Sequence, residues 1–208
     1  MPLGFSYAMV EAALVEMHHI APDSVPALRS RFGAFQRGGL LGKQPGRGAR
    51  LEYGGDQLHR VVFAFEMTQA GMSPTTVLQA VRDFWDKRLR EIFLKAERAL
   101  VHETPDVVLF LSSLTAMDGP EKSVPNINHT TIDKLSGSLS FAIRGKDELD
   151  DLPARALVVN LSAQLHRFHT ALTHYHLSPA MLAGLEDEPK RKRAAKPKRR
   201  IKSPIPLT

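Results

Sequence analysis

The sequence predicts a mainly α fold with a small β-wing, followed by a long helix and a small α+β domain at its C-terminal end. Three observations lead to this prediction. Apolar residues recur at helical spacing in several stretches before residue 100. A glycine-rich segment interrupts those stretches, and two short apolar runs with β character follow Pro105. With 208 residues, of which 43% are hydrophobic, the chain can form one or two domains with a real core.

Two short helices are expected first. Residues 6–19 repeat apolar side chains near the helical period, and Ala21-Pro22 ends that helix. Asp23 or Ser24 can cap a second helix over 25–37, where Pro26 is tolerated in the first turn. The apolar stripe of this second helix consists of Leu28, Phe32 and Phe35, while Ser30, Gly33 and Arg37 lie opposite, with Arg29 and Gln36 at one flank.

A hairpin wing is expected next. Gly38-Gly39 stops the second helix, and the segments 40–43 and 49–53 flank a loop whose Pro45-Gly46 pair favours a tight turn. Arg47 would lie at the tip of this hairpin. The order of helix, helix and hairpin is that of a winged helix-turn-helix.

Two further helices follow the wing. A helix over 56–69 ends at Gly71, which supplies a left-handed stop. Ser73-Pro74 opens the next helix, whose apolar stripe runs to Leu100. Because that stripe is long for a single domain, we expect the helix over 73–102 to form a dimer interface. The residues expected in that interface are Val81, Phe84, Trp85, Leu89, Ile92 and Ala96.

The third region changes in pattern. Val107–Leu111 and Leu139–Ile143 read as strands. A helix is expected from Pro153 to about His174, with a buried stripe at Leu157, Leu161, Leu165, Phe168 and Leu172. This region, over 105–180, would be a regulatory or partner-binding domain.

Basic charge concentrates in two places. Residues 27–50 carry six basic residues and no acid, so the positive field there is expected to be local and not neutralised. Residues 189–208 carry nine basic residues and no acid, which leaves 19 basic against 22 acidic residues, a net charge of −3, in residues 1–188. The segment 186–208 is expected to be a disordered basic tail, because its composition provides little apolar surface to bury.

The order and spacing of several short motifs resemble the DNA-binding region of the MerR family of transcription regulators, over about residues 8–88. The matching residues are Leu28-Arg29, Gly39-Leu40-Leu41, Arg50-Leu51-Glu52-Tyr53, Leu58 and Gly71-Met72-Ser73. The resemblance implies a winged helix-turn-helix at 8–72 and a long helix that pairs two subunits. The cysteines that metal-sensing members use are absent from this sequence.

The expected function is therefore sequence-specific binding of double-stranded DNA by a homodimer that regulates transcription at a two-fold related site. The expected DNA-binding residues are Arg29, Ser30, Arg31, Gln36, Arg37, Lys43, Arg47, Arg50 and Tyr53. Additional nucleic-acid contacts are expected from Lys190, Arg191, Lys192, Arg193, Lys196, Lys198, Arg199, Arg200 and Lys202 in the tail. RNA polymerase or another regulator would be a further partner. The alternative is an architectural, nucleoid-type protein that binds nucleic acid without reading sequence, mainly through its tail.

Other chemistry finds little support in the sequence. There is no cysteine, no Gly-x-Ser-x-Gly elbow and no run of apolar residues long enough to span a bilayer. His166 and His169 share a helical face, but no acidic partner stands near them in sequence. We therefore expect no enzyme, no metal, no cofactor and no membrane contact, and a cytoplasmic, nucleoid-associated location. His18-His19 are expected at a helix end with one ring exposed.

Overall fold

The structure is a computed structural model that describes residues 4–42, 52–111, 127–144 and 157–174, with only the backbone described for 140–144. These residues form a mainly helical fold with one three-stranded antiparallel sheet. The broad prediction of a mainly α fold with a small β component is confirmed. None of the helices in these ranges combines the length and the apolar character needed to cross a bilayer.

The first two helices lie close to their predicted positions. Helix α1 covers Tyr7–Met17, and the Ser6 hydroxyl accepts a hydrogen bond from the Met9 amide at its start. Helix α2 covers Val25–Arg37 and follows a short 3-10 turn at Pro22–Ser24. The expected side-chain cap from Asp23 or Ser24 is wrong: neither side chain makes a capping hydrogen bond, since both residues belong to that turn.

The next two helices begin and end as their local signals predict. Helix α3 covers Gly55–Gln69, and Gly71 after it has the left-handed φ of 92°. Helix α4 covers Pro74–Phe84, with the Ser73 hydroxyl accepting from the Thr76 amide at 3.1 Å. Helix α3 is buried along most of its length and forms the centre of the fold.

The long helix predicted over 73–102 is not continuous. A π-helical segment at Trp85–Leu89 separates α4 from helix α5, which covers Arg90–His102. Such segments insert an extra residue per turn and shift the face that the following helix presents. Here the shift leaves Trp85 and Leu89 buried with Ile92 of α5.

The sheet has three strands in the described part of the chain. Its central strand was predicted, and the two outer strands were not. Strand β1 is Val107–Leu111, and it pairs with β2, Ile127–Thr131, on one side and with β3, Leu157–Asn160, on the other. Both pairings are antiparallel; Leu109 lies opposite His129 of β2 and Val159 of β3. All five residues of β1 are buried, as expected of a central strand.

Two predictions in the C-terminal region are wrong. The run Leu139–Ile143 is part of helix α6, Leu135–Arg144, because a short apolar run has the same appearance in a strand and in a buried helix. The helix expected from Pro153 instead begins after β3. Helix α7 covers Leu161–Thr173, and the Asn160 side chain accepts from the Ala163 amide at its start.

One hydrophobic core joins the two ends of the described chain. It extends from Phe5 to Leu172, and α7 packs against both α1 and α5. The predicted boundary between an N-terminal unit at 8–72 and a separate unit at 105–180 is therefore not visible in the core, because the first and last helices share it.

Candidate nucleic-acid interface

Helix α2 exposes a set of side chains that we call the basic face. It consists of Arg29, Ser30, Arg31 and Arg37, all of which are exposed. The opposite side of the same helix carries Leu28, Phe32 and Phe35, which are buried at 5%, 0% and 0% exposure. The core therefore fixes the rotation of α2, and with it the direction in which the basic face points.

Small residues lie between the arginines of the basic face. A Cβ added at Gly33 would lie 3.3 Å from Nη1 of Arg37, so the Arg37 guanidinium lies over this glycine. A larger residue at 33 would crowd that guanidinium. The glycine thus leaves room for the Arg37 guanidinium against the helix surface.

Arg29 is held by an acid from another helix. Its Nε lies 2.9 and 3.0 Å from the two carboxylate oxygens of Glu11 on α1, and its Nη2 lies 2.8 Å from Oε1. This pairing lowers the pKa of the Glu11 carboxyl, so the acid stays ionised beside the guanidinium. The expectation that no acid neutralises the charge of residues 27–50 is therefore wrong at Arg29. Glu11 was missed because it precedes Arg29 by 18 residues.

Tyr53 does not belong to the interface. Its side chain is fully buried, and burial raises its pKa to about 12. Its hydroxyl hydrogen-bonds the Gln36 side chain, while its backbone pairs with Phe5 in an antiparallel bridge. The predicted DNA contact by Tyr53 is wrong, because the Tyr53 ring is buried in the core. Gln36 is half-buried and its amide is engaged with Tyr53, so it too contributes to packing.

Residues 43–51 of the predicted wing, and the whole predicted tail, lie outside the described residues. This applies to Lys43, Arg47 and Arg50 of the wing, and to the basic residues of the tail from Lys190 to Lys202. Their contacts with nucleic acid stay predictions. Of the segments expected to flank the hairpin, Leu40 and Leu41 lie in a turn, and Tyr53 pairs with Phe5.

A groove lies next to the C-terminal end of α2, and the sequence did not indicate it. It has a volume of about 170 Å³ and is lined by Gly38, Gly39, Leu40, Arg60, Leu78, Val81 and Arg82. Arg60 is fixed in this groove: its Nε donates to Asp56 at 3.0 Å, and its guanidinium lies 5.0 Å from the centre of the Trp85 ring. Arg82 on α4 is exposed.

The stripe predicted to form a dimer interface is covered within one chain. Val81, Trp85, Leu89, Ile92 and Ala96 are all buried, and Phe84 is half-buried. The stripe was expected to be too long for the helix-turn-helix core to cover alone, and the sheet and α7 do add to the surface that packs on α5. The inference that a second subunit must cover the stripe therefore loses its support. Dimer formation itself stays a prediction, without this support.

Three polar side chains form a hydrogen-bonded network across the middle of the fold. The Oε1 atom of Glu97 on α5 lies 2.8 Å from Nε2 of His59 on α3 and 3.1 Å from Nε2 of His169 on α7. Burial alone would raise the pKa of Glu97, but the hydrogen bonds from His169 and His59 outweigh burial and hold that pKa at about 2. The carboxylate thus joins three helices. His169 therefore has an acidic partner, Glu97, which lies on another helix and is distant in sequence.

His166 does not join His169 in a common site. His166 is exposed, whereas His169 is turned toward Glu97. In the described part of the chain, no group of three or more histidine, cysteine, aspartate or glutamate side chains is arranged to hold a metal ion.

A second buried pair lies between α1 and α3. His18 Nδ1 lies 3.8 Å from Glu66 Oε1, and the side chains are 5% and 9% exposed. Burial lowers the pKa of His18 and raises that of Glu66 to about 7. Both shifts favour the neutral forms over an ion pair. His19 is exposed, which confirms the expected helix end with one exposed ring.

The raised pKa of Glu66 gives a testable pH dependence. A carboxyl with a folded pKa of about 7, above the ordinary 4.5, contributes stability that is complete below pH 4.5 and is lost as the pH rises through 7. Glu66→Gln removes this ionisation. The free energy of unfolding of the variant, relative to that of wild type, should rise by about 3 kcal/mol between pH 5 and pH 8.5. Urea unfolding at the two pH values would measure it.

Glu91→Gln is the matched control for this measurement, since the Glu91 side chain is 70% exposed on α5. Its difference from wild type should not change with pH by more than about 0.5 kcal/mol. Equal pH profiles for wild type and Glu66→Gln would mean that Glu66 is ionised in the folded chain at neutral pH.

Comparison of the chain with models of known protein families gave no match, and comparison with curated proteins gave none either. The function is therefore inferred from the residues of the chain itself.

Proposed function

We propose that this chain is a DNA-binding protein that contacts double-stranded DNA through the basic face of α2 and regulates transcription in the manner of the MerR-like proteins it resembles. One observation carries the proposal. Helix α2 presents arginines and small residues on one side, while a fully buried aromatic and aliphatic stripe locks its other side into the core.

The chemistry of the basic face matches that of a DNA duplex. An exposed helix with small residues can enter the major groove, and its guanidinium groups can donate to phosphates and to the acceptor edge of guanine. In this proposal Arg37, whose guanidinium lies over Gly33, would contact a base edge. Arg29 and Arg31, which lie at the two flanks of the helix, would contact the phosphate backbones.

The basic tail supports the alternative of an architectural protein. Nine positive charges without an acid in residues 189–208 can bind any polyanion, with an affinity that falls steeply as salt rises. The two functions differ in the ratio of specific to non-specific affinity at fixed salt. We favour the regulator because the arginines of α2 occur on a surface of defined geometry.

Arg37→Ala tests the proposal. If Arg37 contacts a base edge, the variant should lose about 1 to 3 kcal/mol of binding free energy for the preferred duplex, and much less for an unrelated duplex. Fluorescence anisotropy at fixed salt would measure both affinities.

Arg98→Ala is the matched control, because Arg98 is an exposed arginine on α5, away from the basic face. It removes the same charge and should affect both duplexes equally. An Arg37→Ala protein that binds its preferred duplex as tightly as the Arg98→Ala protein would remove Arg37 from the recognition surface.

A further inference from the structure

Glu11 is an acidic residue in a place where a DNA-binding surface would be expected to avoid one. It lies on α1 with a side chain only 12% exposed, next to the basic face, and it pairs with Arg29, whose side chain is 60% exposed. We infer that Glu11 is a positioning residue that holds Arg29 in the orientation that contacts a DNA phosphate. This inference rests on the proposed function.

After it has paired with Glu11, the Arg29 guanidinium still has N–H donors that Glu11 does not engage. A guanidinium carries five N–H groups in a planar fork. Glu11 engages Nε and Nη2. The two N–H groups of Nη1 and one of Nη2 are not used by Glu11, and the Arg29 side chain as a whole is 60% exposed.

The Glu11 side chain is itself mostly buried. One turn earlier on α1, the Tyr7 ring stacks on Phe32 at a centroid distance of 5.0 Å and an interplanar angle of 18°. Phe32 is fully buried in α2. The carboxylate that pairs with Arg29 is thus held at the packed contact between α1 and α2.

This arrangement favours binding through preorganisation. A free arginine loses much side-chain entropy when it binds a phosphate, whereas Arg29 has already lost it on folding. The ionised Glu11 opposes the approach of DNA, but it is mostly buried, while the guanidinium extends toward the solvent. Preorganisation of Arg29 favours DNA binding, whereas the negative charge of Glu11 opposes it. The change in DNA affinity when the Glu11 charge is removed therefore shows which effect is larger.

Glu11→Gln is therefore the informative variant. If Glu11 only neutralises Arg29, removing a negative charge beside the DNA should tighten binding. If Glu11 positions Arg29, the preferred duplex should bind about 3-fold to 10-fold more weakly despite the lost negative charge. Glu16→Gln is the matched control, since Glu16 is an exposed acid on the same helix, and it should bind DNA as wild type or slightly tighter.

A double-mutant cycle isolates the pair. Arg29→Ala should weaken binding and lower the slope of log affinity against log salt by about 1. Adding Glu11→Gln to Arg29→Ala should then change the affinity by less than 2-fold, because no arginine is left to position. Arg29→Lys keeps the charge but not the fork, so it should lose affinity while keeping the salt slope. Circular dichroism melts on each variant identify any loss that comes from unfolding.

The outcomes separate this inference from the proposed function. If Glu11→Gln binds as tightly as Glu16→Gln or tighter while Arg37→Ala weakens binding, Glu11 does not position Arg29 and the DNA-binding proposal stands. If wild type binds no duplex, both fall. If Glu11→Gln weakens binding equally with and without Arg29, the acid acts on the fold of α1 alone, and the inference is overturned.

Discussion

Replacing Ile92 with Asp should unfold the chain and should not separate a dimer. Ile92 is 1% exposed in the core between α5 and its neighbours. The substitution removes a buried aliphatic side chain and leaves a carboxylate without a partner in its place, which we expect to lower the free energy of unfolding by about 4 kcal/mol or more. Urea unfolding followed by circular dichroism would measure this loss.

Val101→Asp is the matched control for Ile92→Asp. Val101 lies on the same helix, but it is 53% exposed, so the same carboxylate would remain hydrated there. We expect a change of at most about 0.5 kcal/mol. If Ile92→Asp kept the wild-type unfolding midpoint while sedimentation showed half the wild-type mass, Ile92 would lie in a subunit interface and its burial within one chain would be wrong.

Replacing Glu97 with Ala should have an effect of similar size. The change removes the only atom that both His59 and His169 contact in their described hydrogen bonds, and it leaves the buried His59 ring and the 18% exposed His169 ring without that acceptor. Breaking a buried ionic group by removing one partner typically costs about 3 to 5 kcal/mol. Thermal unfolding should show a correspondingly lower midpoint for this variant.

The pH dependence of Glu97 provides a second check. With a folded pKa of about 2, below the ordinary 4.5, Glu97 contributes stability that is present above pH 4.5 and is lost as the pH falls through 2. The wild-type protein should therefore lose more stability than Glu97→Gln between pH 4.5 and pH 2.5. Glu91→Ala, an exposed change on the same helix, should match wild type in both measurements.

Local signals in the sequence predicted the elements that depend on local interactions. The bounds of α2, the left-handed Gly71, the Ser73 cap and the strand β1 all follow from a few neighbouring residues, and the structure confirms them. The run Leu139–Ile143 failed because five apolar residues fit a strand and a helix equally well. The tertiary surroundings of this run select the helix over the strand, and a short stretch of sequence does not contain them.

The side-chain partners could not be predicted in the same way. The pairing of Glu11 with Arg29 spans 18 residues, and that of His59 with Glu97 spans 38. Each depends on how helices pack, so the acids that neutralise a basic segment or orient a histidine are not visible as neighbours in sequence. The same holds for the long apolar stripe, since sequence periodicity shows that a face is buried but not which surface covers it.

In our proposal, the basic face of α2 reads DNA sequence. Selection of duplexes from a random pool by the full chain, followed by affinity measurements at fixed salt, tests this proposal. We predict a preferred duplex bound about 1,000-fold more tightly than unrelated DNA, with a preference that Arg37→Ala reduces and that Arg31→Ala and Arg98→Ala preserve. Equal affinity for every duplex, or a preference that survives Arg37→Ala, would contradict this proposal.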